Sequence, residues 1–175
     1  MTDVTLPVAS AAYRGAGPHI FAGGQVALTC GTHGVFSSSV PPPQTVGRTV
    51  VSEYTATFEG ELVLQPPVVA EAVTHALSVQ ASMAEAITLT GESGGVLTFD
   101  TELVTFTLEG AGMPDGIRVR ESPDLASSGV TTVTPLSGGQ SKVQTHYDVW
   151  LEISLDDGRS WEVAENAVRM TLEPN

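Results

Sequence analysis

The stretch Ser154–Trp161 reads S-L-D-D-G-R-S-W and predicts the turn of a β-hairpin near the end of the chain. Its S-x-D-x-G-x-x-W spacing is that of an Asp box. In such a turn the Asp156 carboxylate accepts hydrogen bonds from turn N–H groups, and Gly158 takes a positive φ. Trp161 folds back onto the hairpin as a small local core. The set Ser154, Asp156, Gly158 and Trp161 therefore explains how two strands are joined and supplies no chemistry.

Alternation of apolar and polar side chains predicts strands on both sides of this turn. The clearest strand runs from Val143 to Leu155, and in another Val104 shares the core face with Phe106 and Leu108. The remaining predicted strands lie at residues 49–64, 117–120, 130–134 and 168–172. Short strands separated by Gly and Pro turns predict an all-β fold, an antiparallel β-sandwich or flattened barrel.

Residues 68–90 fit two structures. Val69, Val73 and Leu77 have helical spacing, and Pro67 suits the start of a helix. The same segment also alternates as a strand would, while its alanine content favours a helix. One short helix and a strand are therefore open alternatives here.

Residues 1–48 differ from the rest because Gly and Pro are concentrated there, including the run Pro41–Pro43. We expect an extended N-terminal arm with one short strand near Gln25–Cys30 and a stiff polyproline connector. Residues 49–175 are expected to form the β-sandwich domain.

Acidic residues dominate the charge of the chain. There are 20 Asp and Glu against 7 Lys and Arg, which gives a net charge of −13. Nucleic acid is excluded as a partner because phosphate binding needs clustered basic side chains. Calcium or a basic partner is compatible with this charge. Charged residues make up only 15% of the chain, and Thr, Ser, Val and Gly replace them, as is common in secreted, surface-layer and virion proteins.

The sequence contains no run of about 18 apolar residues, so no insertion into a membrane is expected. The first residues, Met1–Val4, lack the basic region and apolar run of a signal peptide. The composition still favours an extracellular or cell-surface location, or a place in a virion or particle coat.

The region from Thr98 to Trp161 resembles a β-rich domain of secreted planctomycete and cyanobacterial proteins, often with C-terminal sorting signals. The resemblance rests on an ordered series of short motifs: F-D-T-E-L-V from Phe99, G-I-R-V-R-E-S-P from Gly116, S-G-V-T-T-V-T from Ser128, Gly138–Gly139, and Y-D-V-W-L-E-I-S-L-D-D-G from Tyr147. It implies an extracellular β-rich domain without an established activity, and it transfers no catalytic residues.

Cysteine and histidine, which often act as nucleophiles or metal ligands, are not clustered in the sequence. Cys30 is the single cysteine and lies in an apolar strand-like run, so we expect a buried structural thiol. The four histidines have no spacing typical of a zinc site, and we expect structural or surface roles for them. They are His19, His33, His75 and His146.

No catalytic constellation is evident, so the chain is not expected to be an enzyme. A G-x-S-x-G elbow for a nucleophilic serine is missing. A glycosidase pair of carboxylates could be drawn only from strand acids whose separation the sequence does not give. These acids are Glu102, Glu121, Asp148 and Glu152.

Two arginines and one tryptophan are candidates for interaction. Arg118 and Arg120 flank an apolar strand residue, and they bind either an external carboxylate or sulfate or, as the interpretation we favour, Glu102 or Glu152 across the sheet. Trp150 is expected to be exposed, facing a glycan or another subunit. Weak calcium candidates are Glu152, Asp156 and Asp157, whose spacing is that of a turn rather than of an EF-hand.

These observations predict a non-enzymatic, self-assembling structural protein of a surface layer, filament or particle coat. The partner is a second copy of the chain, bound through the arm, whose Tyr13, Phe21 and Phe36 would otherwise stay wet. No cofactor is expected, with calcium as an option. The alternative is an extracellular module that binds carbohydrate or calcium, and a third hypothesis is a sialidase-like hydrolase.

Overall fold

The structure is a computed structural model that describes residues 4–8 and 11–173. The fold is all-β. In chain order the strands are β1 (Ala12–Gly15), β2 (Pro18–Phe21), β3 (Val26–Gly34), β4 (Thr49–Leu64), β5 (Val73–Ser93), β6 (Val96–Leu108), β7 (Arg118–Glu121), β8 (Ser127–Pro135), β9 (Ser141–Val149), β10 (Leu151–Ser154), β11 (Glu162–Val163) and β12 (Val168–Glu173). Two three-residue 3₁₀ turns, Ala22–Gly24 and Ser137–Gly139, are the helical elements of these ranges.

Eight of the strands close into an antiparallel ring. Their order is β6-β5-β4-β3-β1-β12-β9-β8, and a further pairing between β8 and β6 closes it. The other four strands lie outside the ring: β2 pairs with β3, while β7, β10 and β11 extend the sheet from β6. No helix able to span a membrane occurs in the described ranges.

The segment that fitted both a helix and a strand is a strand. β5 runs in register with β4 from Leu64↔Val73 to Thr49↔Thr88. Its odd-numbered residues from Leu77 to Leu89 face the interior, which is the pattern of a strand with one buried face. The helix alternative for residues 68–90 is wrong, because cross-strand pairing along the whole segment outweighs the helical preference of its alanines.

The N-terminal residues belong to the ring rather than to a separate arm. Residues 12–34 form three strands instead of one short strand near Gln25–Cys30, and β1 lies between β3 and β12. The expected boundary at Thr49 therefore falls between two neighbouring strands of the ring. The glycine content of residues 1–48 predicted an arm, but some of these glycines serve close contacts between strands. Gly15 has no space for a side chain, since an ideal Cβ would lie 2.8 Å from the Cys30 carbonyl oxygen.

Two irregularities correct the predicted strand pattern. A bulge in β6 places Val104 on the outer surface at 44% exposure, while Leu103 and Phe106 face the core. The single strand predicted from Val143 to Leu155 is divided at Trp150. β9 stays in the ring and β10 pairs with β7 and β11 outside it.

The interior contains two apolar clusters with polar residues between them along the strands. On β5, Ala81 belongs to the larger cluster and Ile87 to the smaller one, with Glu85 between them. On β6, Thr101 separates Phe99 from Leu103 in the same way. A further buried polar pair is Thr131 and Thr145, whose hydroxyl oxygens are 2.9 Å apart.

Candidate functional site

The turn that joins β10 to β11 is held by its own side chains. Asp156 Oδ1 accepts hydrogen bonds from the Ser154 hydroxyl at 2.8 Å and from the Ser160 N–H at 2.9 Å. The Ser154 hydroxyl oxygen also accepts the Gly158 N–H at 2.8 Å. Gly158 has φ 85°, a conformation that costs other residues more than glycine. These bonds close the turn and use the side chains of Ser154 and Asp156.

Trp161 lies against this turn and beneath an arginine. Its indole N–H donates to the Gly158 carbonyl oxygen at 3.1 Å, and the Arg120 guanidinium carbon is 4.0 Å from the ring centroid. Arg120 also donates from Nε and Nη2 to one oxygen of Glu152 at 2.8 and 2.7 Å. The ring is half-buried, so Arg120 shields one of its faces from a ligand.

Arg118 and Arg120 both have acidic partners within the chain. Arg120 binds Glu152, one of the two strand acids expected for it, whereas Arg118 lies near Glu109 at 3.5 Å and Asp157 at 3.8 Å. The second of the expected acids, Glu102, is not among these partners. The Arg120 pair agrees with the structural interpretation that we favour, while Arg118 stays partly exposed beside its two acids.

The calcium candidates do not converge on one point. The Glu152 carboxylate is 3% exposed and is held by Arg120 and the Ser122 hydroxyl, which donates at 3.2 Å. Asp156 is used by the turn, and Asp157 faces Arg118. Within residues 4–8 and 11–173, no three His, Cys, Asp or Glu side chains are grouped to hold a metal ion.

The carboxylates considered as a catalytic pair have different surroundings. Asp148 is bound at both oxygens by Arg169, at 2.9 and 2.7 Å, which lowers its pKa. Burial raises the pKa of Glu121 to about 7, and the nearby Glu102 and Glu152 carboxylates add to this effect. The pairing of Asp148 and Glu152 with arginines makes them structural partners of the sheet.

The aromatic residues assigned to an interaction surface are mostly internal. Phe21 is fully buried and Tyr13 is 7% exposed, both in the larger apolar cluster. Phe36 is partly buried against Tyr13 and Tyr54, with ring centroids 5.9 and 5.6 Å away. Trp150 is half-buried rather than exposed. The prediction that a neighbouring copy buries Tyr13 and Phe21 is wrong, because the strands of the same chain already cover them.

The interior holds a second polar site, which we call the Glu85 cluster and define as Tyr13, Tyr54, Glu85 and Tyr147. Glu85 is 2% exposed, and its two oxygens accept hydrogen bonds from the hydroxyl of Tyr54 at 3.1 Å and from that of Tyr147. Tyr13 packs edge-on against Tyr147 with ring centroids 5.8 Å apart. Burial raises the pKa of Glu85 above its ordinary value, although the two tyrosine hydroxyls lower it.

Sequence analysis missed the Glu85 cluster, although a signal was present. Glu85 occupies an odd-numbered position in the alternating segment of β5, so a strand there places its carboxylate inside. The three tyrosines come from β1, β4 and β9. Only the closed ring brings them together.

A cavity of about 40 Å³ lies beside this cluster. It is lined by Tyr13, Cys30, His33, Tyr54, Met83, Leu103, Phe106, Tyr147, Val149, Leu151 and Met170. Cys30 is 3% exposed and burial raises the pKa of its thiol to about 12, so the thiol is a weak nucleophile.

Two of the histidines are core residues. Burial lowers the pKa of His19 to about 4, and burial together with the nearby His19 lowers that of His33 to about 3. His75 and His146 are half-buried. The two internal imidazoles are therefore neutral at physiological pH.

No family model, no curated protein and no solved structure matches the chain. The resemblance of Thr98–Trp161 to secreted β-rich domains thus stays a prediction.

Proposed function

We propose that this chain is a non-enzymatic structural module that associates with further copies of itself through an open strand edge. The edge is the first part of β5, Val73–Gln80. It pairs with β4 on one side, and the pairing of β5 with β6 begins only at Ala81. The other side of Val73–Gln80 has no strand partner in the described part of the chain.

The open edge lacks the features that usually prevent edge-to-edge pairing. Val73–Gln80 reads V-T-H-A-L-S-V-Q and contains no Lys, Arg, Asp, Glu or Pro. Natural sheets protect exposed edges with charges, prolines, bulges or short strands. In a chain with a net charge of −13, an uncharged edge is also where two copies meet with least repulsion.

The edges of β2 and β4 are bonded by other parts of the chain, and that of β11 is short. The Ile20 carbonyl oxygen of β2 accepts the Glu165 N–H at 2.7 Å, and the Ile20 N–H donates to the Asn166 side chain. On β4, the Thr55 carbonyl oxygen accepts the Ser37 N–H at 2.9 Å. The outermost strand, β11, is only two residues long. This contrast supports β5 as the edge that accepts a partner.

We propose that this edge pairs antiparallel with the same edge of a second copy of the chain. Such an isologous contact is closed by a two-fold axis. The backbone near Ser78 indicates which groups would take part. The loop after β6 covers the Ser78 end of this edge, since an ideal Cβ on Gly112 would lie 2.3 Å from the Ser78 carbonyl oxygen. The part left open is therefore Val73–Leu77, where Thr74 and Ala76 alternate with Ser78 and direct their N–H and C=O groups away from β4.

The module would act in a surface layer, filament or particle coat, outside the cell or at its surface, as the hydroxyl-rich composition suggests. The N-terminal strands β1 and β3 complete the ring of their own chain and are therefore not exchanged between copies. Binding of glycan or calcium, and hydrolysis, stay predictions that no geometry described above favours.

The test compares substitutions on and off the edge. Ala76→Pro removes an edge N–H, and Ala76→Lys adds a charge beside it. Ser82→Lys is the matched control, since Ser82 is exposed on the same strand where β6 already pairs. Light scattering over a range of concentrations should show oligomers of wild type and Ser82→Lys and monomers of both Ala76 variants, with unchanged circular dichroism. A wild-type monomer at high concentration, or assembly that survives Ala76→Pro, would overturn the proposal.

A further inference from the structure

We propose that the internal cavity of the ring binds one cuprous ion through Cys30 Sγ, a ring nitrogen of His33 and Met170 Sδ. This inference is independent of self-association. All three side chains line the same cavity of about 40 Å³, and they come from β3 and β12.

A bulge in β3 places Cys30 and His33 on the same side of the strand. Residues three apart on a regular strand point to opposite faces. Here the register with β4 shifts between Cys30 and Thr32, which resets the alternation. As a result both side chains face the interior, with exposures of 3% and 6%.

Gly15 allows the sulfur of Met170 to approach Cys30. β1 lies between the two strands, and Gly15 is paired with Met170. An ideal Cβ on Gly15 would lie 2.9 Å from Cys30 Cβ and 3.1 Å from Met170 Sδ. Since glycine leaves that space unfilled, the Cys30 side chain and the Met170 thioether border the same gap.

His33 gives an independent indication that a ligand belongs in the cavity. Its Nδ1 is buried and finds no hydrogen-bond partner in the described part of the chain. A buried polar atom left unpaired costs about 1–3 kcal/mol. The rings of Phe58 and Phe106, with centroids 4.8 and 5.3 Å away, pack against the imidazole and offer it no hydrogen-bonding side-chain atom.

The chemistry of the three ligands favours Cu(I) over other ions. A thiolate, an imidazole and a thioether are soft or intermediate ligands, and thioether sulfur suits Cu(I) rather than Ca²⁺ or Mg²⁺. A cavity needs only about 10–15 Å³ to hold one water-sized particle, so a single ion fits. Within residues 4–8 and 11–173, no third His, Cys, Asp or Glu joins Cys30 and His33, which argues against a typical zinc site.

Charge balance also favours a monovalent ion. Binding exchanges the Cys30 thiol proton for the metal: Cu⁺ and the thiol give a copper–thiolate bond and one proton released to solvent. Copper stays in the +1 state, and no oxidant or reductant is consumed. The product is a neutral pair, which an apolar cavity tolerates far better than an isolated charge.

The experiment titrates the whole protein with Cu(I) under argon, with ascorbate present and bicinchoninate as the competing chelator. We expect one ion per chain, one proton released, and sulfur and nitrogen neighbours in the copper X-ray absorption spectrum. Cys30→Ser and Met170→Leu should each weaken Cu(I) binding at least about 10-fold, the lower end of losses seen around metal sites.

Met113→Leu is the matched control, since Met113 lies in the loop before β7 and does not line the cavity. It should bind Cu(I) as wild type does. Met170→Leu conserves volume, and its thermal unfolding without copper shows whether the fold is kept. No Cu(I) bound by folded wild type, or equal affinity in folded Met170→Leu and wild type, would overturn the site.

Discussion

Asp156 and Glu85 are both carboxylates that accept hydrogen bonds from hydroxyl groups, yet their pKa values move in opposite directions. At the exposed turn, bonds from the Ser160 hydroxyl and N–H and from the Ser154 hydroxyl lower the pKa of Asp156 to about 2. In the ring interior, burial raises the pKa of Glu85 despite the bonds from Tyr54 and Tyr147. Hydrogen bonds stabilise the carboxylate anion at both sites, but in the interior the cost of burying the charge exceeds that gain.

The two regions also differ in how they are built. The side-chain hydrogen bonds that close the Ser154–Trp161 turn join residues within eight positions of the chain, so they can form locally. The Glu85 cluster takes its members from four strands of the ring, and Tyr147 lies 62 residues from Glu85. We therefore expect substitutions in the interior to destabilise the whole fold, and substitutions in the turn to disrupt only the local hairpin.

The largest effect is expected from deleting residues 1–48. This deletion removes β1 and β3, which separate β12 from β4, and takes Tyr13 from the Glu85 cluster. Residues 49–175 alone should be unfolded or aggregated, with poorly dispersed amide signals in NMR. A truncated chain with a dispersed spectrum and cooperative melting would show instead that the ring closes without its N-terminal strands.

Glu85→Ala should destabilise the protein by about 3–5 kcal/mol. The loss of the carboxylate leaves the Tyr54 and Tyr147 hydroxyls buried without their acceptor and creates a cavity. Urea unfolding measures the difference, with Glu53→Ala as the exposed control on β4. A loss below about 1 kcal/mol would mean that water or rotation of the hydroxyls replaces Glu85.

Glu85→Gln tests the direction of the pKa shift. The folded protein holds the Glu85 proton more tightly than the unfolded chain, so the Glu85 contribution is complete below the unfolded pKa. It decreases as the pH rises through the folded value. The stability of wild type relative to Glu85→Gln should therefore fall as the pH is raised above the ordinary pKa of a glutamate. A rise over that range would reverse our account of the cluster.

Trp161→Ala should cost about 1–3 kcal/mol, less than a fully buried tryptophan, because the ring is half-buried and loses its stacking with Arg120. Trp161→Phe should recover part of this loss, since it keeps an aromatic face under the guanidinium but not the indole N–H. Thermal melting of the two variants gives the ranking. Equal melting temperatures for wild type and Trp161→Ala would show that the turn holds without its aromatic residue.

The smallest effect is expected for Asp156→Asn. The pKa of Asp156 is lowered on folding, so its contribution is present above the unfolded pKa and is lost as the pH falls toward 2. Wild type should thus lose more of its melting temperature than Asp156→Asn when the buffer is changed from pH 5 to pH 2.5. Asp157→Asn, at a neighbouring carboxylate 3.8 Å from Arg118 Nη2, is the control and should follow wild type.

Sequence patterns were sufficient for the all-β class and for strands with one buried face, such as β4. They were insufficient where a strand contains an extra residue. The bulge in β6 moves Val104 outward, and that in β3 brings Cys30 and His33 together, and neither leaves a clear mark on local hydrophobic alternation. The prediction of an arm for the Gly-rich residues before Thr49 was wrong for another reason. Their glycines allow close contact between strands, and composition cannot distinguish this from a flexible arm.

What the sequence determined by itself is local: alternation with a period of two, the hydroxyls and carboxylate spaced to close the Ser154–Trp161 turn, and the acidic charge. Which strands become neighbours was decided by the tertiary structure, because pairing between distant segments depends on closing the whole ring. That closure buries Glu85 among three tyrosines and turns Tyr13 and Phe21 inward. It also leaves Val73–Gln80 as the open edge, since β6 pairs with β5 only from Ala81 onward.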